Sequence, residues 1–463
     1  MWRLFLPAVA VMLFVFPSPG GAEDWSRFRG PNGSGVSKDA GYPTRFGQDR
    51  NALWRTPVRP GKSSPILTRR HVFLTGFQNG KLFTQCLDRQ TGKLLWERQM
   101  ARPREEAGNL RNEPAAVTPV TDGENVYAFF ADFGLLSYDA AGSLRWKTPL
   151  GPFTNTMGLS SSPVLAEGTV VLVVDQQDDS YIAAFDSRNG EIRWKTPREE
   201  KDGWGSPVLY RRPGGPAEIL TASRGQLGAH RVDDGARSRT YTRLSPAIVA
   251  SPVLDQDALF TFGYGNDAAT PFSTVLARRD KNGDGRITPD EQGTDALLIG
   301  VGKYGGNRDR IVTKEEWDEK QRQVLAPSSL LAIRLERDGV RELWRYERSF
   351  VGVIPSPLLY DGVLYVIKNG GILTAFDSKT GEVAKMARVE GAMGGYSASP
   401  VAADGKVFLA SEDGKVAVLR AGRDWEVLAV NDLGEACYAT PALSEGNIYL
   451  RTAEALYCFG AGR

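Results

Sequence analysis

The chain has 463 residues, 24% of them charged, with 57 Lys and Arg against 55 Asp and Glu and only 2 His. Near-neutrality without a long run of either sign speaks against a nucleic-acid partner, and so little histidine leaves imidazole-zinc and Ser-His-Asp chemistry without support. Three cysteines cannot build a disulfide framework.

Residues 1–22 read as a secretory signal: Met1-Trp2-Arg3 carries the charge, Leu4 to Phe16 the apolar stretch, and Gly20-Gly21-Ala22 a small-residue cleavage site. The apolar run, about 13 residues, falls short of the roughly 20 that span a bilayer, so no retained transmembrane anchor is expected. No cysteine follows it, so a lipid anchor is not expected either. These features place the mature chain in the periplasm or outside the cell. Residues 23–50 form a lead-in segment.

From residue 51 to 463 the chain repeats itself. The markers are Ser64-Pro65, Thr118-Pro119, Ser162-Pro163, Ser206-Pro207, Ser251-Pro252, Ser356-Pro357, Ser399-Pro400 and Thr440-Pro441, usually followed by apolar residues. The prolines fall 54, 44, 44, 45, 105, 43 and 41 residues apart, so the longest interval is one repeat plus an insertion, assigned to residues 267–326. A fixed period is read as an array before anything else. Within each unit the apolar period is two and Gly-containing turns punctuate it, as in Asn125-Val126-Tyr127-Ala128-Phe129 after Asp122-Gly123. That pattern means four short antiparallel strands per unit, one propeller blade each.

The expected fold is therefore all-β: an eight-bladed propeller with a small helical insertion in blade 5. The eighth unit stops after Leu456-Tyr457-Cys458-Phe459, one strand short. Ala52-Leu53-Trp54-Arg55-Thr56-Pro57, which matches Leu144-Arg145-Trp146-Lys147-Thr148-Pro149, supplies the missing strand. Pairing the two removes an exposed edge. The outer-strand tryptophans Trp96, Trp146, Trp194 and Trp344 are expected to pack between blades, with Tyr241 near that place in the fourth unit. Cys86 and Cys458 share one repeat position and read as small buried residues; Cys437 reads as free.

Asp88, Thr91, Gly92 and Trp96, in the order Asp-x-x-Thr-Gly-x-x-x-Trp, together with the Ser-Ser-Pro-Val openings, resemble the pyrroloquinoline-quinone-type propeller repeat. That superfamily includes quinoprotein dehydrogenases and non-catalytic BamB-type propellers of outer-membrane assembly. The lead-in Trp25-Ser26-Arg27-Phe28-Arg29-Gly30-Pro31 also resembles that of secreted bacterial members. The resemblance raises PQQ as a cofactor, but the vicinal cysteine pair usual in the large alcohol-oxidising enzymes is missing. There is no Cys-x-x-Cys-His haem site, and no position can be matched to the family's general base. PQQ is not expected, and no catalytic residue is assigned.

The sharpest local motif lies in the insertion. Asp280-Lys281-Asn282-Gly283-Asp284-Gly285-Arg286-Ile287-Thr288-Pro289-Asp290-Glu291 fits a twelve-residue EF-hand loop. The expected Ca²⁺ ligands are Asp280, Asn282, Asp284, the Arg286 carbonyl, Thr288 and bidentate Glu291. Gly285 permits the turn, and Ile287 is expected to pair with a partner loop. A second, degenerate loop keeps Asn307, Asp309, Thr313 and Glu316.

His71 and His230 read as structural or surface residues, and Asp178-Asp179 and Asp233-Asp234 as solvated turns. Met157 to Ser161, Trp204-Gly205 and Gly394 to Ser397 are expected to rim the central channel, the first choice for any ligand or peptide. The function so expected is a secreted, non-catalytic and monomeric scaffold that binds another envelope or secreted protein. The alternatives are a quinone-dependent dehydrogenase of alcohols or sugars and a carbohydrate- or envelope-binding module.

Overall fold

A computed structural model describes residues 25–105, 112–212, 214–266, 268–337, 339–348 and 354–461. The expected signal segment, residues 1–22, lies outside the described residues. No helix among them is long and apolar enough to cross a membrane.

Eight four-stranded antiparallel sheets follow one another along the chain. Blade 1 consists of Ile66–Leu67, His71–Gln78, Lys81–Asp88 and Leu94–Ala101, and its middle strands are almost wholly buried. The outermost strand instead alternates, because one of its faces meets solvent. Blades 2 to 7 repeat this plan. Blade 8 is completed from the other end of the sequence, where Ala52–Pro57 pairs antiparallel with Ala455–Phe459. The closing strand thus stands where the repeat alignment puts it.

Tryptophans hook blades 1, 2, 3 and 5 to the blade that follows each. The indole N–H of Trp96 donates to the Ala140 carbonyl (2.9 Å), Trp146 to Ser187 (3.0 Å), Trp194 to Val232 (2.8 Å) and Trp344 to Ser378 (2.9 Å). Burying a large ring while pairing its one polar atom makes indole well suited to this position.

Blade 4 departs from the sequence reading. The residue opposite Ala229, in the register that Trp194 holds against Ala184, is Arg239 and not Tyr241. Its guanidinium pairs with Glu218 (3.0 Å) and donates to the carbonyls of Glu336 and Gly339 in blade 5. In blade 6 the same place belongs to Lys385, which donates to the Trp425 carbonyl (2.7 Å) and lies 4.7 Å from that ring's centroid. Cation and ring have exchanged sides, and the contact survives.

The insertion leaves blade 5 between Ala258–Gly263 and Ser329–Glu336 and forms four helices: α1 (Phe272–Arg279), α2 (Pro289–Gln292), α3 (Ala296–Tyr304) and α4 (Lys314–Val324). Phe272, Val275, Ile287, Leu298, Val301, Val312 and Trp317 give it a small core of its own. Cys86, Cys437 and Cys458 are free and buried, with each thiol pushed up to about 12 by burial.

Candidate binding site at the channel mouth

The Ser-Pro markers form a ring. The Ser64 amide donates to the Thr118 hydroxyl (2.9 Å), Thr118 to Ser162 (3.2 Å), Ser162 to Ser206 (2.9 Å) and Ser206 to Ser251 (2.8 Å). The relay continues through Ser356, Ser399 and Thr440 (2.9, 3.0 and 2.9 Å), and Thr440 returns to Ser64 (3.0 Å). Eight hydroxyls thus make a continuous collar around the axis. Each satisfies a buried amide that the crowded start of the innermost strand would otherwise strand.

Below the collar the channel is closed by the lead-in. The Trp25 carbonyl accepts from Leu67 (2.8 Å) and Ser26 from Thr121 (2.9 Å), Asn32 exchanges two hydrogen bonds with Leu209 (2.8 and 2.9 Å), and Arg29 donates to the Pro357 carbonyl (2.7 Å). Ala402 exchanges two more with Gly35 and Ser37 (2.8 and 2.9 Å). One segment therefore crosses blades 1, 2, 4, 6 and 7. Phe28 reaches the channel wall from this side, and among the described residues the remaining cavity of about 560 Å³ opens at the opposite mouth.

That mouth is built from the expected lead-ins to the inner strands: Met157, Ser160, Trp204 and Ser397 line it, joined by Tyr264 and Tyr438. The Trp204 indole is held in place by hydrogen bonds to Asn155 Oδ1 (3.0 Å) and the Gly158 carbonyl (3.2 Å). Met157, Trp204 and Tyr264 also line a second cleft of about 600 Å³ beneath the insertion, so channel and cleft adjoin across these side chains.

The cleft gathers charges that sequence reasoning missed. Asp202 accepts from the Thr156 amide (3.1 Å) and hydroxyl (2.9 Å) and from Gln177, and burial raises its carboxyl above the usual range. Burial lowers the Lys320 ammonium to about 8, with Arg224 pushing the same way. Arg224 donates to Gln323 of α4 (3.0 Å) and is itself lowered by burial. These groups come from the blade 3–4 connection, blade 4 and α4, and no local motif announces them.

The expected calcium loop follows α1. Asp280 accepts from the amides of Gly283 (2.7 Å) and Gly285 (3.0 Å), Asn282 from Asp284 (2.9 Å), and Asp284 from Arg286 (2.9 Å). Glu291 accepts from the amides of Thr288 (2.9 Å) and Lys281 (2.8 Å) and from the Thr288 hydroxyl (2.8 Å), which holds its carboxyl down at about 2. Gly285 takes φ 75°, as its turn requires. Among the described residues no three His, Cys, Asp or Glu side chains gather closely enough to hold a metal. Ile287 bridges antiparallel to Val312 of the second loop (3.0 and 2.9 Å). In that loop Asn307 accepts from the Asp309 amide (3.1 Å), and Thr313 and Glu316 cap α4. Arg308 makes a bidentate pair with Asp178 of blade 3 (2.7 and 3.0 Å), so the insertion leans from blade 5 over blade 3.

The remaining sequence candidates are dispersed. His71 is half-buried at a strand start, and His230 is fully buried, lowered to about 3 by burial with Arg198 adding to it. Asp233 and Asp234 lie in a turn beside Arg231. Pyrroloquinoline quinone carries three carboxylates, whereas among the described residues the charged side chains on the channel wall are one ammonium, Lys62, and one carboxylate, Glu412. The residues of the channel do not fit that group.

The family model described as outer membrane protein assembly factor BamB matches residues 47–283 and 318–461. Among curated proteins none matches. Among solved structures, BamB from Moraxella catarrhalis is 12% identical, with a TM-score of 0.56 over 88% of this chain and 100% of that one. A europium-containing methanol dehydrogenase is 11% identical, with a TM-score of 0.59 over 92% of this chain and 89% of that one. The computationally designed Ika8 protein is 10% identical, with a TM-score of 0.55 over 91% and 100%. At such identities the structures attest the fold alone, and two of them differ in what their names say they are. The family model, covering both arms of the propeller and skipping only part of the insertion, decides the assignment: the chain belongs to the BamB-like family of PQQ-type propellers.

Proposed function

We propose that this protein is a non-catalytic binding scaffold of the periplasm or extracellular space that seats a partner protein at the channel mouth, while Ca²⁺ orders the insertion above it. The observation that carries this reading is the channel mouth: among the described residues Phe28 fills the base, and Trp204, Tyr264 and Tyr438 line the cavity, with Trp204 and Tyr264 shared by the cleft under the insertion. Rigid aromatic surfaces around a concave opening suit an anchor side chain of a partner.

A photocrosslinking residue at Met157 or Tyr438 is expected to capture an envelope or secreted protein, and one at Asn32 on the opposite face is not. Equal capture from both faces would overturn the assignment of the mouth. Adding the quinone and Ca²⁺ to the purified protein, then recording the cofactor spectrum and dye reduction with alcohols and sugars, distinguishes the dehydrogenase alternative; the scaffold reading expects neither signal.

The calcium role is supported by the loop spacing and by the small core of the insertion, which is too small to order a segment of this length firmly without help. Extracellular modules bind Ca²⁺ at about 10⁻⁴ to 10⁻³ M, so the ion would be held constantly and act structurally. Titrating Ca²⁺ while following proteolysis of residues 267–326 is expected to show protection; unchanged cleavage would sink this role.

A further inference from the structure

Each collar hydroxyl accepts one backbone amide and has a single hydrogen of its own to give. Among the described residues none of the eight donates that hydrogen to a protein acceptor, and all eight line the channel. The collar is therefore a band of donors facing a half-enclosed cavity.

Beneath it lie two buried positive charges that, among the described residues, have no carboxylate partner. Arg27 donates to the Pro207 carbonyl, and Arg29 to those of Pro357 (2.7 Å) and Ser34 (3.4 Å). Pro207 and Pro357 directly follow the collar residues Ser206 and Ser356, so both guanidiniums sit one residue beyond the collar. Among the described residues Arg27 Nε and Arg29 Nε and Nη1 are buried with no hydrogen-bond partner. Burial lowers Arg27 to about 10 and Arg29 to about 9, and Arg27 adds to the lowering of Arg29. A guanidinium scarcely escapes this by losing its proton, and uncompensated buried charge is costly. The one carboxylate on the channel wall, Glu412, stands at the mouth and is engaged by Ser397.

We propose that the channel holds one small oxyanion, a carboxylate, sulfate or phosphate, on the hydroxyl collar above the Arg27–Arg29 pair. The anion enters from the mouth, because Phe28 closes the base. It accepts from two or three collar hydroxyls on one side and offsets the charge beneath them. The site lies deeper than the mouth proposed for a partner and does not depend on that partner.

Equilibrium dialysis of the purified chain against labelled phosphate, sulfate and acetate tests this directly. The expected result is saturable binding of one anion per chain; whichever of the three binds identifies its source as inorganic or as a carboxylate. Ser356→Ala removes one donor and is expected to weaken binding by about tenfold, the loss of one hydrogen bond to a charged group. Ser356→Thr, the residue type already present at Thr118 and Thr440, is expected to retain it. Arg29→Gln is expected to weaken it at least as much as Ser356→Ala; should that variant not fold, the Ala and Thr pair at Ser356 decides. No saturable binding of any of the three anions, or equal binding by Ser356→Ala and Ser356→Thr, would overturn the proposal.

Discussion

Trp54 lies against Gly92: its indole N–H donates to the Arg89 carbonyl (3.2 Å), and a Cβ on Gly92, at φ 71°, would sit 2.5 Å from the indole ring. The Thr56 hydroxyl adds a hydrogen bond to the Gly92 carbonyl (2.6 Å). Blade 8 is thereby hooked to blade 1 in the manner of the interior joints, although the hook comes from the start of the chain. Trp54→Ala is expected to cost about 2–3 kcal/mol, at or below the usual range for a buried Trp→Ala because this ring is only half-buried. Gly92→Val, strained at positive φ and in collision with the ring, is expected to cost at least as much. Chemical denaturation of the two variants checks both values.

The collar makes a sharper prediction about stability. Ser251→Ala leaves the buried Ser206 amide without its acceptor and should cost about 1–3 kcal/mol. Ser251→Thr keeps the oxygen and should lie within about 1 kcal/mol of wild type. A shift in denaturation midpoint for Ala that Thr does not share is the expected outcome.

Lys320 should stand out chemically. With an ammonium pKa lowered to about 8, roughly half of it is neutral at pH 8, whereas an ordinary lysine near 10.4 is almost wholly charged. Brief treatment with an amine-reactive reagent at that pH, read by peptide mass spectrometry, is expected to label Lys320 ahead of surface lysines. The sign for stability follows from the lowered value: Lys320 favours the fold above its unfolded pKa, and that contribution is lost as the pH falls through about 8.

Glu291 has a depressed pKa as well, but it is an acid. Its contribution is present above its ordinary value of 4.5 and disappears as the pH falls toward about 2. Hydrogen exchange between pH 5 and pH 2 is expected to show the Lys281 and Thr288 amides losing protection. Glu291→Gln should show part of that loss already at pH 5.

Much of this architecture is written in the spacing of Ser-Pro pairs, because each marker does the same physical task in every blade. Ala52–Pro57 could be recognised as the closing strand since it repeats the Trp, the basic residue, the Thr and the Pro of Leu144–Pro149 in the same places. Legibility fails where different chemistry performs one task. Arg239 and Lys385 occupy the tryptophan position while sharing no property with indole except the ability to donate to the next blade's backbone, so Tyr241 looked the better candidate. The cleft was invisible for another reason: Asp202, Arg224 and Lys320 converge only once the insertion folds back over blades 3 and 4. The lead-in shows a family resemblance but no sign of what it packs against, since its partners are as distant as Pro357, 328 residues beyond Arg29.

That lead-in gives an otherwise symmetrical ring a preferred seam. Any two neighbouring blades could in principle be the first and last, but residues 25–37 lie across five inner strands and are tied by a short connection to the strand that completes blade 8. A circular permutant opened between blades 3 and 4 would retain every sheet hydrogen bond. One opened after Gly47 would cut the short connection from the floor to the strand that closes blade 8, leaving the floor tethered only through the linker that joins the original ends of the chain.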